Sequence, residues 1–159
     1  MRAIVLSDSH GDTDSCDRAI FSSGELDMII HLGDIARDTD YLEAVYADIP
    51  VVSVLGNNDF LRSGDYERVI ELDGHKIFIC HGHTLGVNTG TDRLCAAARR
   101  CGCEAALFGH THMAMLEYDE SLLVLNPGSV SRPRRGKASY AIIETDEEKL
   151  RAVVVDWVL

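Results

Sequence analysis

Short apolar segments rich in β-branched residues alternate with helix-like segments in the first part of the chain. Residues 2–8, 28–34 and 51–59 are predicted strands, and the continuous apolar run within the first is typical of a strand buried on both faces. The intervening segments 13–23 and 38–48 have the amphipathic spacing of helices. This strand–helix–strand–helix–strand order predicts right-handed crossovers and a parallel sheet.

The second half of the chain has a different pattern, in which strands are joined by tight turns. Hairpins are predicted with turns at Asp73-Gly74, near Asp119-Glu120 and near residues 146–148. Residues 91–102 have the composition of a helix, and residues 105–110 add a further apolar strand. Crossovers followed by hairpins predict an α/β fold in which two mixed sheets pack together with helices outside.

Composition narrows the class of protein. The chain of 159 residues is long enough for one domain and too short for two, so a single domain over residues 1–159 is expected. Its hydrophobic content of 46% and charged content of 26% are ordinary for a globular protein. The net charge of −11 would repel a phosphate backbone, so duplex nucleic acid is not an expected partner. The sequence leaves the oligomeric state open, and a homo-oligomer is one of the options.

Apolar runs and cysteines predict the cellular location. The run after Arg2 is too short for a signal-peptide core, and no later run approaches the length of a membrane span. Five cysteines, an odd number without C-x-x-C spacing, are typical of reduced thiols. Cys101 and Cys103 could share a metal, but two thiols without nearby partners make a weak zinc site. A cytoplasmic protein without a membrane partner is therefore predicted.

Five predicted strands end in polar side chains that can bind metal ions. The strand ends read D-S-H, L-G-D, G-N-N-D, H-G-H and G-H-T-H, and their candidate residues are Asp8, His10, Asp34, Asn57, Asn58, Asp59, His81, His83, His110 and His112. The carboxyl ends of strands line the binding crevice of an α/β sheet. Packed histidines, Asx turns or helix N-caps could explain each residue alone, but hardly all five strand ends together. His31, inside a strand, and His75, beside a turn, are assigned to packed or surface positions.

The chemistry of these side chains fits one type of site. Imidazole, carboxylate and amide oxygen together suit divalent ions such as Mn²⁺, Fe²⁺ or Zn²⁺, and the absence of thiolate disfavours a closed structural zinc site. There are enough ligands for two ions, which share a bridging group when they lie about 3.5–4 Å apart. Asp34, alone at its strand end, is the natural bridging carboxylate. Such a pair of ions would activate a water molecule and stabilise charge on a phosphoryl group.

Taken in order, the five motifs resemble those of the calcineurin-like metallophosphoesterase family, and most closely its small YfcE-like phosphodiesterase branch. They run from Asp8 to His112, and N-P-G-S-V-S-R-P-R over residues 126–134 is also similar to that branch. The resemblance implies a four-layer αββα sandwich with a two-metal centre between the sheets. It also implies a phosphoric diester hydrolase, in which a hydroxide bound at the two-metal centre attacks a small phosphodiester.

The motifs, matched residue by residue, imply two ligand sets that share one carboxylate. The first metal would be held by Asp8, His10, Asp34 and His112, and the second by Asp34, Asn57, His81 and His110. His81 is placed on the metal because it comes first after the apolar run, and His83 would face the substrate or support the site. Two Mn²⁺ ions are the expected cofactors, although the same ligands accept Fe²⁺, Zn²⁺ or Ni²⁺.

Asn58 departs from the pattern of the family, in which many members have histidine at this position. Because an amide cannot act as a general acid at neutral pH, we expect Asn58 to donate a hydrogen bond to phosphate and good leaving groups to be favoured. Asp59 is expected to orient a histidine. A basic cluster is either a solvated loop or a contact for the substrate; it consists of Arg132, Arg134, Arg135 and Lys137.

Two other functions are compatible with the sequence. A phosphomonoesterase would use the same site, and some proteins of this fold act as protein-binding scaffolds, as the retromer subunit resembling this branch does. All seven candidate ligands are present in suitable chemical types, which favours catalysis, although a scaffold can also keep its metals. A nucleotide-binding fold is not expected, because no G-x-G-x-x-G follows the first strand and Ser131 stands where a P-loop before Gly136-Lys137 needs glycine.

Overall fold

Two five-stranded mixed sheets form the centre of the computed structural model, which describes residues 1–157. The first sheet contains, in spatial order, β10 (Leu150–Trp157), β9 (Ala138–Thr145), β1 (Arg2–Leu6), β2 (Met28–His31) and β3 (Val51–Ser53). The second contains β4 (Glu67–Leu72), β5 (His75–Cys80), β6 (Ala105–Phe108), β8 (Leu122–Pro127) and β7 (Ala114–Asp119). The helices are α1 (Thr13–Ser22), α2 (Ala36–Val45) and α3 (Asp92–Arg100), with a 3-10 turn at His83–Leu85.

Strand pairing follows the predicted change from crossovers to hairpins. β1, β2 and β3 are parallel, as are β5, β6 and β8 in the second sheet. The three predicted hairpins are formed by β4–β5, β7–β8 and β9–β10. At the first turn Asp73 and Gly74 have φ of 49° and 86°, the pair of positive values that a two-residue hairpin requires. The predicted α/β fold of two mixed sheets with outer helices is confirmed.

Alternate side chains of the central strands face different apolar layers. On β1, Ala3 and Val5 lie in the layer between the sheets, while Ile4 and Leu6 pack under α1 and α2. α3 covers the outer face of the second sheet. Burial on both faces explains why the strand is a continuous apolar run rather than an alternating one. The two sheets and their outer helices therefore form four layers.

The ends of several elements differ from the predictions. β1, β2 and β3 end two to six residues earlier than predicted, so that the polar strand-end residues lie in the loops that follow. α2 begins at Ala36 rather than 38, because the Asp59 carboxylate accepts a hydrogen bond from its backbone N–H at 2.7 Å. Asp12 caps α1. Helix capping therefore does not account for Asp8 or Asp34.

The five cysteines are free thiols, and all but Cys101 are buried. Burial raises the pKa of the Cys16 thiol to about 12, which keeps that thiol protonated and unreactive.

Within residues 1–157, no helix combines the length and apolar character needed to cross a membrane.

Candidate metal centre

The loops after five strands bring the seven candidate ligands together at one edge of the two sheets. The first sheet supplies Asp8, His10, Asp34 and Asn57, and the second supplies His81, His110 and His112. The convergence follows from topology, because β1, β2 and β3 are parallel to one another, as are β5 and β6, so each set of carboxyl ends meets at one edge.

The first group of ligand atoms comes from Asp8, His10 and His112, whose ligand atoms all lie within 4.8 Å of one another. The Nε2 atoms of the two imidazole rings are 3.1 Å apart, and His112 Nε2 is 3.3 Å from Asp8 Oδ1. Asp34 Oδ2 is 3.8 Å from His10 Nε2. These are the residues that the resemblance assigns to the first metal.

A second group surrounds His81, which is fully buried. Its Nε2 atom lies 3.1 Å from Asn57 Oδ1 and 3.3 Å from His110 Nδ1. The ligand atoms of Asp8, Asp34 and His81 also lie within 4.8 Å of one another. Asp34 is thus close to members of both groups, as a bridging carboxylate must be, and Asp8 is as well.

Asp8 carries the clearest sign of an incomplete arrangement. Its side chain is buried, and Oδ1 accepts no well-aligned hydrogen bond from the described residues. Burial by itself raises the pKa of Asp8, but contacts with His112, His81 and Ser7 outweigh it and place the pKa below the ordinary value. A buried carboxylate that stays ionised needs a partner for each oxygen. A divalent cation at Oδ1 would supply that partner.

Backbone carbonyls fix the orientation of two histidines. His81 Nδ1 donates to the Leu32 carbonyl at 2.7 Å, and His112 Nδ1 donates to the Arg132 carbonyl at 2.6 Å. In a neutral ring, each bond leaves Nε2 as the unprotonated nitrogen that faces the other ligands, which is the usual arrangement around metal-binding histidines. The donor set therefore fits divalent ions of the Mn²⁺ to Zn²⁺ series.

In His110 the two ring nitrogens have the opposite roles to those in His81 and His112. Asn88, which contacts this ring, is not predicted from the sequence. His110 Nδ1 faces His81, while its Nε2 lies 2.9 Å from the side-chain amide of Asn88. Burial lowers the pKa of both His10 and His110, which favours neutral rings that can offer a lone pair. Asn88 lies in the loop before α3, where no motif or periodicity distinguishes it.

The backbone is strained at four of the seven candidate ligands. Asp8, His10, His110 and His112 have φ of 54°, 49°, 67° and 56°, in the left-handed region that non-glycine residues rarely adopt. The described chain has seven non-glycine residues with positive φ, so more than half of them lie in this cluster. Each such residue costs about 1–3 kcal/mol, and such residues concentrate at functional sites.

Two glycines next to the ligands leave no room for a side chain. A Cβ atom on Gly56 would lie 2.5 Å from Asp34 Oδ1 and 2.8 Å from the Asp34 Cα. A Cβ atom on Gly109 would lie 2.0 Å from Ser7 Oγ and 2.9 Å from Asp8 Oδ2. The glycines of L-G-N-N-D and F-G-H therefore allow the loops of the two sheets to approach the carboxylates closely.

Asn58 and His83 lie beside the candidate ligands. The Asn58 backbone N–H donates to Asp34 Oδ1 at 2.9 Å, and its exposed side-chain amide donates to Asp34 Oδ2. The ring of His83 is half-buried, with its centroid 5.4 Å from that of His81, and burial lowers its pKa. Asn58 thus positions the Asp34 carboxylate, while His83 packs beside His81.

Asp59 does not orient a histidine as expected. Its two carboxylate oxygens accept hydrogen bonds from the backbone N–H groups of Ala36 and Gly56, at 2.7 and 2.8 Å. Its side chain is buried because it joins the start of α2 to the loop that carries Asn57 and Asn58. Asp59 therefore shapes the loop, and carbonyl groups orient His81 and His112 instead.

His31 is packed, as predicted, but it belongs to a network behind the site. Ser9 Oγ donates to Asp38 Oδ2 at 2.6 Å and lies 3.0 Å from His31 Nε2. Asp38 Oδ2 also accepts from the Gly11 N–H at 2.8 Å. This buried network holds the D-S-H loop in its strained conformation. His75, also predicted to be outside the site, pairs instead with Glu104 at 2.9 Å.

The segment 126–134 packs directly against the candidate ligands. Asn126 Nδ2 donates to the Gly109 carbonyl at 2.9 Å, and Ser129 Oγ donates to the Asp8 carbonyl at 2.8 Å. Further on, the Arg134 N–H donates to the His112 carbonyl at 3.1 Å. The exposed basic cluster therefore begins beside the site rather than on a distant loop.

Comparisons with known proteins identify the family of the chain. The family model of the calcineurin-like phosphoesterase superfamily domain matches residues 1–148. The probable metallophosphoesterase YsnB of Bacillus subtilis is 33% identical over 152 residues, which are 93% of this chain and 86% of YsnB. Phosphodiesterase YfcE of Escherichia coli is 27% identical over 171 residues, covering 92% of this chain and 89% of YfcE.

A solved structure supports the same relationship. The crystal structure of a Streptococcus pneumoniae protein, described as a predicted phosphoesterase, superposes with a TM-score of 0.82 at 30% identity. The superposition covers 98% of this chain and 88% of that protein. The resemblance found in the motifs is confirmed, and this chain belongs to the calcineurin-like phosphoesterase superfamily.

Proposed function

We propose that this protein is a phosphodiesterase that works with two divalent ions at the candidate metal centre. The observation that carries the proposal is the convergence of seven ligand side chains around Asp8 and Asp34, with the buried Asp8 Oδ1 accepting no hydrogen bond from the described residues. Membership of the phosphoesterase superfamily supports the ester class, and relatives named as phosphodiesterases favour a diester.

The ligand sets follow the two groups of side chains. One ion would be held by Asp8, His10, Asp34 and His112, and the other by Asp34, Asn57, His81 and His110. When bound, the ions supply Lewis acidity that activates water and neutralises charge on the phosphoryl oxygens. Mn²⁺ is the proposed occupant of both positions, and Fe²⁺, Zn²⁺ or Ni²⁺ would suit the same donors.

The remaining side chains would position the substrate. The exposed amide of Asn58 lies against Asp34, where it can turn from the carboxylate to a phosphate oxygen. The half-buried His83 has its Nδ1 buried without a hydrogen-bond partner among the described residues. Because Asn58 cannot donate a proton to a leaving alcohol, the enzyme should prefer esters of acidic alcohols.

The surroundings favour a small substrate. The net charge of −11 opposes a long phosphate backbone, whereas the basic cluster beside His112 can attract a single phosphodiester.

A cytoplasmic setting is proposed because all five thiols are free and four are buried.

Hydrolysis of matched aryl esters tests the proposal. Protein stripped with a chelator is expected to be inactive on bis(p-nitrophenyl) phosphate, because the Lewis acids are gone. Returning Mn²⁺ alone should restore activity, with a higher kcat/KM for this diester than for p-nitrophenyl phosphate. The activities restored by Zn²⁺, Ni²⁺ and Fe²⁺, each returned alone, are then compared with that restored by Mn²⁺.

The outcomes separate the competing functions. A higher kcat/KM for the monoester would make the protein a phosphomonoesterase with the same centre. Binding of metal without hydrolysis of either ester would favour a protein-interaction scaffold. Full activity after removal of all metal would contradict the proposal.

A further inference from the structure

A cavity of about 580 Å³ lies beside the loops of the candidate metal centre, and none of its lining residues is a candidate ligand. Val87, Phe108 and Thr111 are buried residues of its lining, and Met113 and Met115 line it as well. Its volume lies within the range of cavities that hold small molecules, roughly 300–1,000 Å³. The apolar lining predicts an apolar occupant.

Three segments of the cavity wall lie next in the chain to candidate ligands or to residues that contact them. Thr111 stands between His110 and His112 in the chain. Val87 precedes Asn88, whose amide contacts His110. A molecule bound at the centre therefore has the cavity as its neighbour.

The third of these wall segments is the basic cluster. Arg135 and Lys137 line the cavity, and they follow Arg134, whose N–H donates to the His112 carbonyl. Asp156 also lines it, so positive charges exceed negative ones at this place in a protein with a net charge of −11. The combination of apolar walls and cations suits an apolar group attached to an anion.

We propose that this cavity binds an aromatic ester group of the phosphodiester substrate while the phosphate lies at the metal centre. The inference rests on the proposed function and adds a substrate class, namely diesters with at least one large aromatic ester group. Thioether side chains such as Met113 and Met115 make favourable contacts with aromatic rings and adapt to their shape. Alkyl diesters without such a group would bind at the centre alone.

Two phosphonates that differ only in the aromatic group provide the first test. In the Zn²⁺-loaded protein, labelled with ¹³C in its four methionine methyl groups, 1-naphthylmethylphosphonate should shift the signals of Met113 and Met115. Methylphosphonate should leave both signals in place, because it has no ring to enter the cavity. Met28, which packs in the layer between the sheets, is the internal control.

Calorimetry of the same two phosphonates separates the possible failures. Binding of both compounds without a methionine shift would overturn the cavity proposal and leave the proposed function standing. Binding of neither compound to the loaded protein would overturn both. Shifts of Met113 and Met115 that are equal for the two compounds would also overturn the cavity proposal.

A truncated cavity wall provides the second test. Met113→Ala should lower the ratio of kcat/KM for a methyl 1-naphthyl diester over a dimethyl diester by about tenfold, because apolar contacts to one ester group are lost. Val69→Ala truncates an exposed apolar side chain on β4, at the opposite edge of the second sheet, and should keep the ratio. An unchanged ratio in a folded Met113→Ala protein would overturn the proposal.

Discussion

Asp34→Asn is expected to lower kcat/KM for bis(p-nitrophenyl) phosphate by about a thousandfold, since metal ions stabilise transition-state charge by several kcal/mol. Asp34 lies close to members of both groups of ligands, and an amide offers one neutral oxygen in its place. Both ions should therefore bind more weakly. Steady-state kinetics with added Mn²⁺, together with the metal content after dialysis, measure the effect.

A matched control removes one carboxylate charge from α2, the helix that follows Asp34 in the chain. Asp40→Asn breaks an exposed ion pair with Arg62, and such surface pairs contribute only about 0–1 kcal/mol. This variant should keep its activity and its metal content. An Asp34→Asn protein that retained activity within tenfold of the parent would remove Asp34 from the proposed bridging position.

Gly56→Ala is expected to reduce both stability and metal binding. The added methyl group would meet the Asp34 Cα and Oδ1 atoms at 2.8 and 2.5 Å, so a backbone segment or the carboxylate must move. Overpacking of this kind typically lowers the free energy of unfolding by about 1–3 kcal/mol. Urea denaturation of metal-free protein measures the stability, and calorimetric titration with Mn²⁺ measures the displacement of Asp34.

Gly64→Ala is the control for this substitution. Its Cβ atom would meet only side-chain atoms of Leu55, the nearest at 3.3 Å, and a side chain can give way. We therefore expect a small change in stability and unchanged affinity for Mn²⁺. Equal stability and equal Mn²⁺ affinity for Gly56→Ala and the parent would contradict the close approach of the two loops.

The convergence of the site could be predicted because it depends on strand topology alone. Continuous apolar runs identify buried parallel strands, and the carboxyl ends of such strands meet at one edge of a sheet. Asp8 and His112 are far apart in the chain, yet their ligand atoms are 3.3 Å apart. The order of ligand types along the chain then identified the family.

Contacts made by loops could not be predicted in the same way. Asn88 reaches His110, and Asp38 holds Ser9 through a buried hydroxyl, but neither pair has a sequence spacing that signals contact. The predicted role of Asp59 is wrong for the same reason, since its partners are the backbone N–H groups of Ala36, at the start of α2, and of Gly56, in the loop after β3. The predicted ends of β2 and β3 are too late because buried apolar residues, namely Leu32 after β2 and Val54 and Leu55 after β3, continue past the last paired residue.

Anomalous diffraction from crystals soaked in Mn²⁺ tests the central claim most directly. The proposed centre predicts two peaks separated by about 3.5–4 Å, with Asp34 between them, because paired ions share a bridging ligand. The seven side chains should divide between the two peaks, with Asp8 and His112 on one and His81 and His110 on the other. A crystal without any peak among these side chains, or with one peak elsewhere, would contradict the account.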